Sequence, residues 1–556
     1  MKKSHRYHIP ILLVPVIFLM IFYLYPLSQI FKISFRPQGA WDFSGFRKLF
    51  IQSYYAKTLW FTFWQAALST GLTLLLALPL AYIFARLKFY ARKTLLTFIM
   101  IPFVLPTVVV AVAFEALIGA NGLLNTIFMP ILKTTTPFLQ LSHTVLAILL
   151  AHIFYNTSVA VRIISGFWSH LSPDLEEAAR MLGASAPMAF GRITLPLLWP
   201  AIVSAALLVF LFCFSSFGVI LILGGPRYAT LEVEIYRQAL HLFNLPMAAT
   251  LSFGQIFFTL IITGVYTRLQ RLRSIALVPT TTAVIRHKAR SLTEKRLLKA
   301  GVGLIVFFFG LPVFALLAAS LRADNGLALT YYRALFVNVS QSIFFSPPTS
   351  AMANSVGIAA LTLVIATTIG FCAAIYLSGV KSRWAKVLDP IFMLPLSTSA
   401  VTLGFGFILA LDKPPLNLRT SFWMVPLAHS LVAFPFVVRS VLPALRSIPP
   451  TIKEAAQVLG ASPLTVFRTI DLPIVGRALL VGAVFAFTVS LGEFGATAFV
   501  ARPQTTTLPL AIYRFLGQPG SLNYGRALAM SALLMLVTAI GFLGLERLRQ
   551  STIGEF

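Results

Sequence analysis

Two carboxylates stand where carboxylates are costly. Glu115 and Glu493 lie inside the apolar runs AVAFEALIG and SLGEFGATAF. An ionisable group at such a position meets a charged solute, or else it satisfies nearby backbone or water. Either glutamate is a candidate for the path of a cationic solute. His152 and His429 occupy similar surroundings and read as packing residues. Groupings that would carry covalent chemistry are missing. No G-x-x-x-x-G-K-S/T run exists, and no Gly-Lys pair exists at all, so nothing here cradles ATP phosphates. No H-E-x-x-H, C-x-x-C or G-x-S-x-G stands in a credible context. The chain therefore reads as a non-enzyme that holds no metal or other cofactor of its own.

A more specific pattern occurs twice, around 168–196 and 445–473. It reads SPDLEEAARMLGASAPMAFGRITLPLLWP in one copy and PPTIKEAAQVLGASPLTVFRTIDLPIVG in the other. Each copy predicts a helix, a sharp turn and a second helix. Pro173 and Pro450 suit a first helical turn, where a missing N–H costs nothing, and Ser172 can cap the first copy. The paired alanines are strong helix formers. Gly183 and Gly460 fall where a left-handed C-cap is expected, and Ser185 and Ser462 can cap the helix that follows.

The elements that must carry these loops are set by composition. The chain has 556 residues, 58% hydrophobic and only 11% charged, against about 25% charged in soluble proteins. That excludes a water-soluble enzyme and a disordered chain. With Cys213 and Cys372 its only cysteines, it also excludes a disulfide scaffold. Apolar stretches able to cross a bilayer fall at 9–31, 58–85, 94–118, 143–161, 197–223, 247–267, 300–321, 352–379, 387–411, 421–438, 478–500 and 527–545. The uncharged interval between Arg192 and Arg227 is the plainest of them. Strands of a β-barrel would alternate polar and apolar residues, and these runs do not. The first span has no A-x-A site behind it and reads as an uncleaved helix rather than a signal peptide.

Net charge is +28, from 44 basic and 16 acidic side chains. Roughly two thirds of the basic residues fall on one side if the N-terminus is inside, which places both termini in the cytoplasm. Lys32, Arg36, Arg47, Lys48 and Lys57 run against this bias in one external loop. Topology explains the charge without any nucleic acid.

The two halves are copies of one unit. His152 pairs with His429, Arg162 with Arg439, Leu195-Pro196 with Leu472-Pro473, Phe217-Gly218 with Phe494-Gly495, and Ile235-Tyr236-Arg237 with Ile512-Tyr513-Arg514, all 277 positions apart. Upstream, IPFVLPTVVVAVAF resembles MLPLSTSAVTLGFGF at a larger offset, which a shorter external loop around Asp412 would explain. Six spans per copy make the repeat parallel, with its pseudo-two-fold axis along the membrane normal. The expected organisation is a first half at 1–267, a basic cytoplasmic linker at 268–299 with nine basic residues and one acid, and a second half at 300–556.

Two loops with Glu-Ala-Ala, Gly six residues after the Glu and a later Leu-Pro resemble the EAA loops of permease subunits of binding-protein-dependent ABC importers. The resemblance covers most of the chain. It implies an all-α polytopic membrane protein of about 12 transmembrane helices, in two parallel six-helix repeats of the type I importer fold, in a bacterial inner membrane. In that family the elbow is a coupling helix that docks on a cytoplasmic ATPase. By resemblance Glu177, Ala178, Ala179, Gly183, Glu454, Ala455, Ala456 and Gly460 are the coupling residues. The implied partners are two ATPase copies, which carry the ATP and Mg, and an extracytoplasmic solute-binding protein. Fused two-half permeases are similar to those of thiamine and iron(III) importers. CFSSFGVILILGGPRYATLEVEIYRQAL, with FTFWQAALS near Trp64, looks more like the thiamine group. An ion-coupled secondary transporter, the reading from another class, would carry several membrane carboxylates and commonly inverted repeats. A passive channel would carry rings of charged or filter residues.

Overall fold

The computed structural model describes residues 5–272, 286–323, 326–337, 347–379, 383–412, 414 and 416–553. Among them, eleven helices are long and apolar enough to cross a bilayer, or twelve if one bent pair counts as a span. The first half runs α1 (Pro10–Phe35), α2 (Ser53–Arg86), α3 (Arg92–Val104), α4 (Thr107–Ile118), α5 (Val145–Ser169), α6 (Asp174–Met181), α7 (Ala186–Phe214), α8 (Leu231–Tyr236) and α9 (Leu245–Leu272). The second half repeats it as α10 (Leu292–Ser320), α11 (Pro348–Gly379), α12 (Arg383–Ser397), α13 (Ala400–Leu411), α14 (Met424–Ser447), α15 (Pro450–Val458), α16 (Leu464–Gly492), α17 (Leu508–Leu516) and α18 (Ser521–Ile553). The departure from an all-α fold among the described residues is a two-residue antiparallel pairing of Arg322–Ala323 with Gly326–Leu327.

Within each half the second, fourth and fifth spans pack on one another: α2 with α5 and α7, and α11 with α14 and α16. The first span of each half reaches across to the other half while still packing on the last span of its own, α1 on α9 and α10 on α18. Helix α1 lies on α11 and α13 of the second half, with Phe18 edge-on to Phe434 and Phe22 beside Phe407. Helix α10 lies in return on α4, with Phe309 stacked on Phe154 of the neighbouring α5. The first helices thus stitch the halves together, and a cut at 267 or 300 would divide the sequence but not the packed bundle.

Several apolar runs are not single helices. The run 94–118 breaks at Leu105-Pro106, and 387–411 bends by 96° between Ser397 and Ala400. Pro106 has no N–H to continue the ladder, and Ser399 instead turns its hydroxyl onto the N–H groups of Val401 and Thr402. The runs 197–223 and 478–500 each overshoot their helix, which ends at Phe214 or Gly492 before the chain turns back through the bundle. Hydropathy counts apolar residues, and a re-entrant turn buried in protein is as apolar as a helix. The loop after the third span is longer in the first copy, 119–144 with a helix at Leu123–Leu132, than in the second, 412–423, which accounts for the changed repeat offset.

The linker is also shorter than 268–299. Its ends belong to α9 and α10, His287 pairs with Leu87 as an isolated bridge, and Ser291 with Glu294 forms a capping box on α10. Residues 273–285 lie outside the described residues.

Close packing beside the breaks depends on Gly404 in α13. A Cβ there would lie 2.8 Å from Cα and 2.9 Å from the carbonyl oxygen of Ala496, neither of which can rotate away. Gly404→Ala is expected to lower stability by about 1–3 kcal/mol. Gly476→Ala, which meets nothing within 4 Å, should change little. Thermal melts of the purified variants in detergent check the pair.

Candidate functional site

The twin elbows fold as their residues dictate. Gly183 at φ +90° and Gly460 at φ +85° end α6 and α15 in the left-handed region. The N–H of Ala184 reaches the carbonyl of Ala179, and that of Ala461 the carbonyl of Ala456, both at 3.0 Å, closing the last turn as a Schellman motif. Ser172 receives the N–H of Asp174 at 3.2 Å and Ser462 that of Thr465 at 3.2 Å. Ser185 sits at the N-cap position but makes no capping bond.

Each elbow continues into a π-turn, Phe190–Thr194 and Phe467–Asp471, two residues before Pro196 and Pro473. Proline cannot donate to the carbonyl four residues back, and the helix widens there. That is the structural use of the repeated Leu-Pro. A strut ties α6 or α15 to this turn at matched positions with different chemistry. Thr194 donates to Glu176 at 2.9 Å in the first half, and Lys453 pairs with Asp471 at 2.6 Å in the second.

The surface this presents is open. Glu177, Glu454, Ala178 and Ala455 are exposed, with Ala179 and Ala456 half-buried behind them. The sequence reading missed the tips: Met181 and Leu182 are 89% and 90% exposed, Val458 and Leu459 both 87%. Four exposed apolar side chains, repeated at 277-residue spacing, belong to no core and make a candidate docking surface. The signal was available, as two apolar residues directly before each helix-ending Gly.

Between the halves lies a cavity of about 380 Å³. Its walls come from the ends of α3 and α12, the middles of α5 and α14, and the ends of α7 and α16. Phe103, Phe212, Phe436, Phe485 and Phe542 give it apolar faces, while His152, Asn156, Thr488 and Glu493 supply polar ones. Phe217 and Phe494, one from each half, stack across its boundary with centroids 5.2 Å apart and planes 24° apart.

Glu493 lines this cavity, and both of its oxygens are engaged. It accepts the N–H groups of Ala496 and Thr497 at 2.9 Å each and the Thr497 hydroxyl at 2.7 Å, with His429 Nε2 at 3.3 Å. It caps the re-entrant turn after α16 while leaving its charge at the cavity wall. Glu115 lies elsewhere: half-buried near the end of α4, it accepts the Ser142 hydroxyl at 2.8 Å and does not line the cavity. The two histidines are more than packing. His152 bridges Ser69 at 3.0 Å and Ser216 at 2.9 Å, and His429 bridges Ser490 and Thr497 at 2.7 Å each. Each pins its helix to the break after the fifth span.

A family profile described as "Binding-protein-dependent transport system inner membrane component" matches residues 77–274 and 366–553, once in each half. The chain belongs to that family. The permease is similar to the thiamine transport system permease protein ThiP of Brucella abortus (strain 2308), 28% identical over 464 residues, 82% of this chain and 81% of the relative. Proteins of the same name from Escherichia coli (strain K12) and Haemophilus influenzae are 26% identical, the first over 89% of each chain, the second over 91% of this chain and 90% of its own. The two profile matches run from inside α2 to the end of α9 and from inside α11 to the end of α18, so each copy of the fold is one family unit and the permease is a fused pair in the inner membrane.

Proposed function

We propose that this permease is the membrane pathway of an ATP-driven importer for thiamine or its phosphates, with both termini in the cytoplasm. Two copies of a separate ATPase, which bind the ATP and Mg, dock on α6 and α15. An extracytoplasmic solute-binding protein docks on the opposite face. The observation that carries this reading is the alignment with thiamine transport permeases over 81% or more of their length, through both halves. The cavity supports it. Thiamine is a cation with two flat rings, and the cavity offers phenylalanine faces with the Glu493 carboxylate at its wall.

The geometry accounts for alternating access. ATPase closure pushes both elbows; the struts Glu176 to Thr194 and Lys453 to Asp471 pass the movement to α7 and α16. The upper ends of those helices carry Phe217 and Phe494, whose parting opens the cavity outward. Glu177 and Glu454 provide charge-assisted contacts to the ATPase, and Ala178, Ala179, Ala455 and Ala456 allow close approach. Differential stabilisation of two states suffices for such a cycle.

The test is uptake into proteoliposomes that hold the permease, its ATPase and its binding protein. Labelled thiamine should accumulate only with ATP, and unlabelled thiamine or its phosphates should compete while ferric ion does not. Uptake of ferric ion alone would reassign the cargo, and uptake driven by an ion gradient without ATP would reassign the class.

A further inference from the structure

Glu232, in the short re-entrant helix α8, is a fully buried carboxylate outside that cycle. One oxygen accepts the side-chain amide of Gln255 in α9 at 2.8 Å, and the other accepts the hydroxyl of Ser399. Ser399 belongs to the second half. It sits at the 96° bend between α12 and α13, lines the cavity, and uses its own oxygen to cap Val401 and Thr402. The adjacent Thr398 is held by the first half as well, through the Tyr23 hydroxyl of α1 at 2.7 Å.

The pseudo-symmetric site has none of this. At the repeat spacings Glu232 corresponds to Pro509, Gln255 to Ala532, Ser399 to Pro106 and Thr398 to Leu105. Every polar member on one side is apolar on the other, although Ile-Tyr-Arg follows in both copies. Glu234, two residues on, is likewise replaced by Ala511. Its bonds to Tyr54, Gln238 and Arg237 stay within the first half. A purely structural carboxylate needs no partner across the seam, and a proline suffices to break the helix at the matching hinge. A buried hydrogen bond placed across a moving interface is different. It must break before α8 and the α12–α13 bend can separate, and breaking it leaves a buried carboxyl group without that partner.

The geometry points to Glu232 and Ser399 as an inter-half latch that holds the second-half hinge in the resting state. The two hinges then part unequally, the Pro106 side unlatched and the Ser399 side restrained. Glu232 is a positioning residue, acting on the cavity wall through Ser399. This rests on the cavity being the transport pathway, but not on the identity of the solute.

The test uses the full chain in lipid nanodiscs, with Pro226→Cys and Pro503→Cys carrying nitroxide labels. These two positions are exposed and matched in the repeat, and their separation is read by electron double resonance. Without nucleotide, Glu232→Ala and Ser399→Ala should each add a longer-distance population absent from the parent, and the double variant should add no more than either alone. Glu234→Gln should keep the parent distribution. In the complex with the ATPase, the first two variants should raise hydrolysis without binding protein about tenfold, the scale of one buried hydrogen bond. Distributions for Glu232→Ala and Ser399→Ala that superimpose on the parent would overturn the latch, as would an equal shift from Glu234→Gln. The distance measurement needs no cargo, so failure of thiamine uptake and failure of the latch are told apart.

Discussion

Replacing Leu182 and Leu459 together by aspartate is expected to abolish ATP-driven transport while the permease stays folded. Both side chains are almost fully exposed, so the chain itself loses no buried contact and its thermal midpoint should hold. The loss falls on the complex. Covering an apolar side chain of this size contributes about 1.5–3 kcal/mol, and an aspartate in the same groove must shed its water without a partner. Two such tips per complex imply association at least about 100-fold weaker. Co-purification of the ATPase with the variant reads the binding, and solute uptake reads the consequence. The double change Glu177→Arg with Glu454→Arg should act in the same direction and more weakly, since these carboxylates lie at a solvated rim. Full ATPase binding by the Leu182→Asp, Leu459→Asp variant would show that the elbows are ordinary connectors.

Glu493→Ala should be the most damaging single change in the core. It removes one acceptor pair that serves the N–H groups of Ala496 and Thr497, the Thr497 hydroxyl and His429. Buried donors left without partners cost about 1–3 kcal/mol each. Some will find water from the cavity, which leaves an expected loss of about 3–5 kcal/mol. Glu493→Gln keeps one acceptor oxygen and should lose about half as much. Glu115→Gln, which weakens a single bond from Ser142, should cost no more than about 1 kcal/mol. Thermal unfolding of the three variants side by side gives the order. If Glu493→Ala melts with the parent, the carboxylate is not the cap of the re-entrant turn.

That turn marks where reading residues in order stops working. The elbows were legible because everything that makes them is local: alanines propagate a helix, Gly183 and Gly460 reverse it, and Pro196 and Pro473 widen the next one. The duplication and the tally of spans were legible too, because a repeat offset and an apolar run are properties of neighbours along the chain. The shape of the runs was not. Whether LPLLWPAIVSAALLVFLFCFSSFGVILILGGP stays one helix is decided at Ser216, which is hydrogen-bonded to His152 of α5, and at Phe217, which stacks on Phe494 of the other half. Local propensity sees neither partner. The bridging of both halves by α1 and α10, the separation of Glu115 from the cavity that Glu493 lines, and the bond from Glu232 to Ser399 depend likewise on residues far apart in the chain. Short-range periodicity encodes which segments are helices. Only the packed bundle decides which helices break, and which half each one serves, because those outcomes are set by the free energy of burying polar groups against partners that the fold alone brings near.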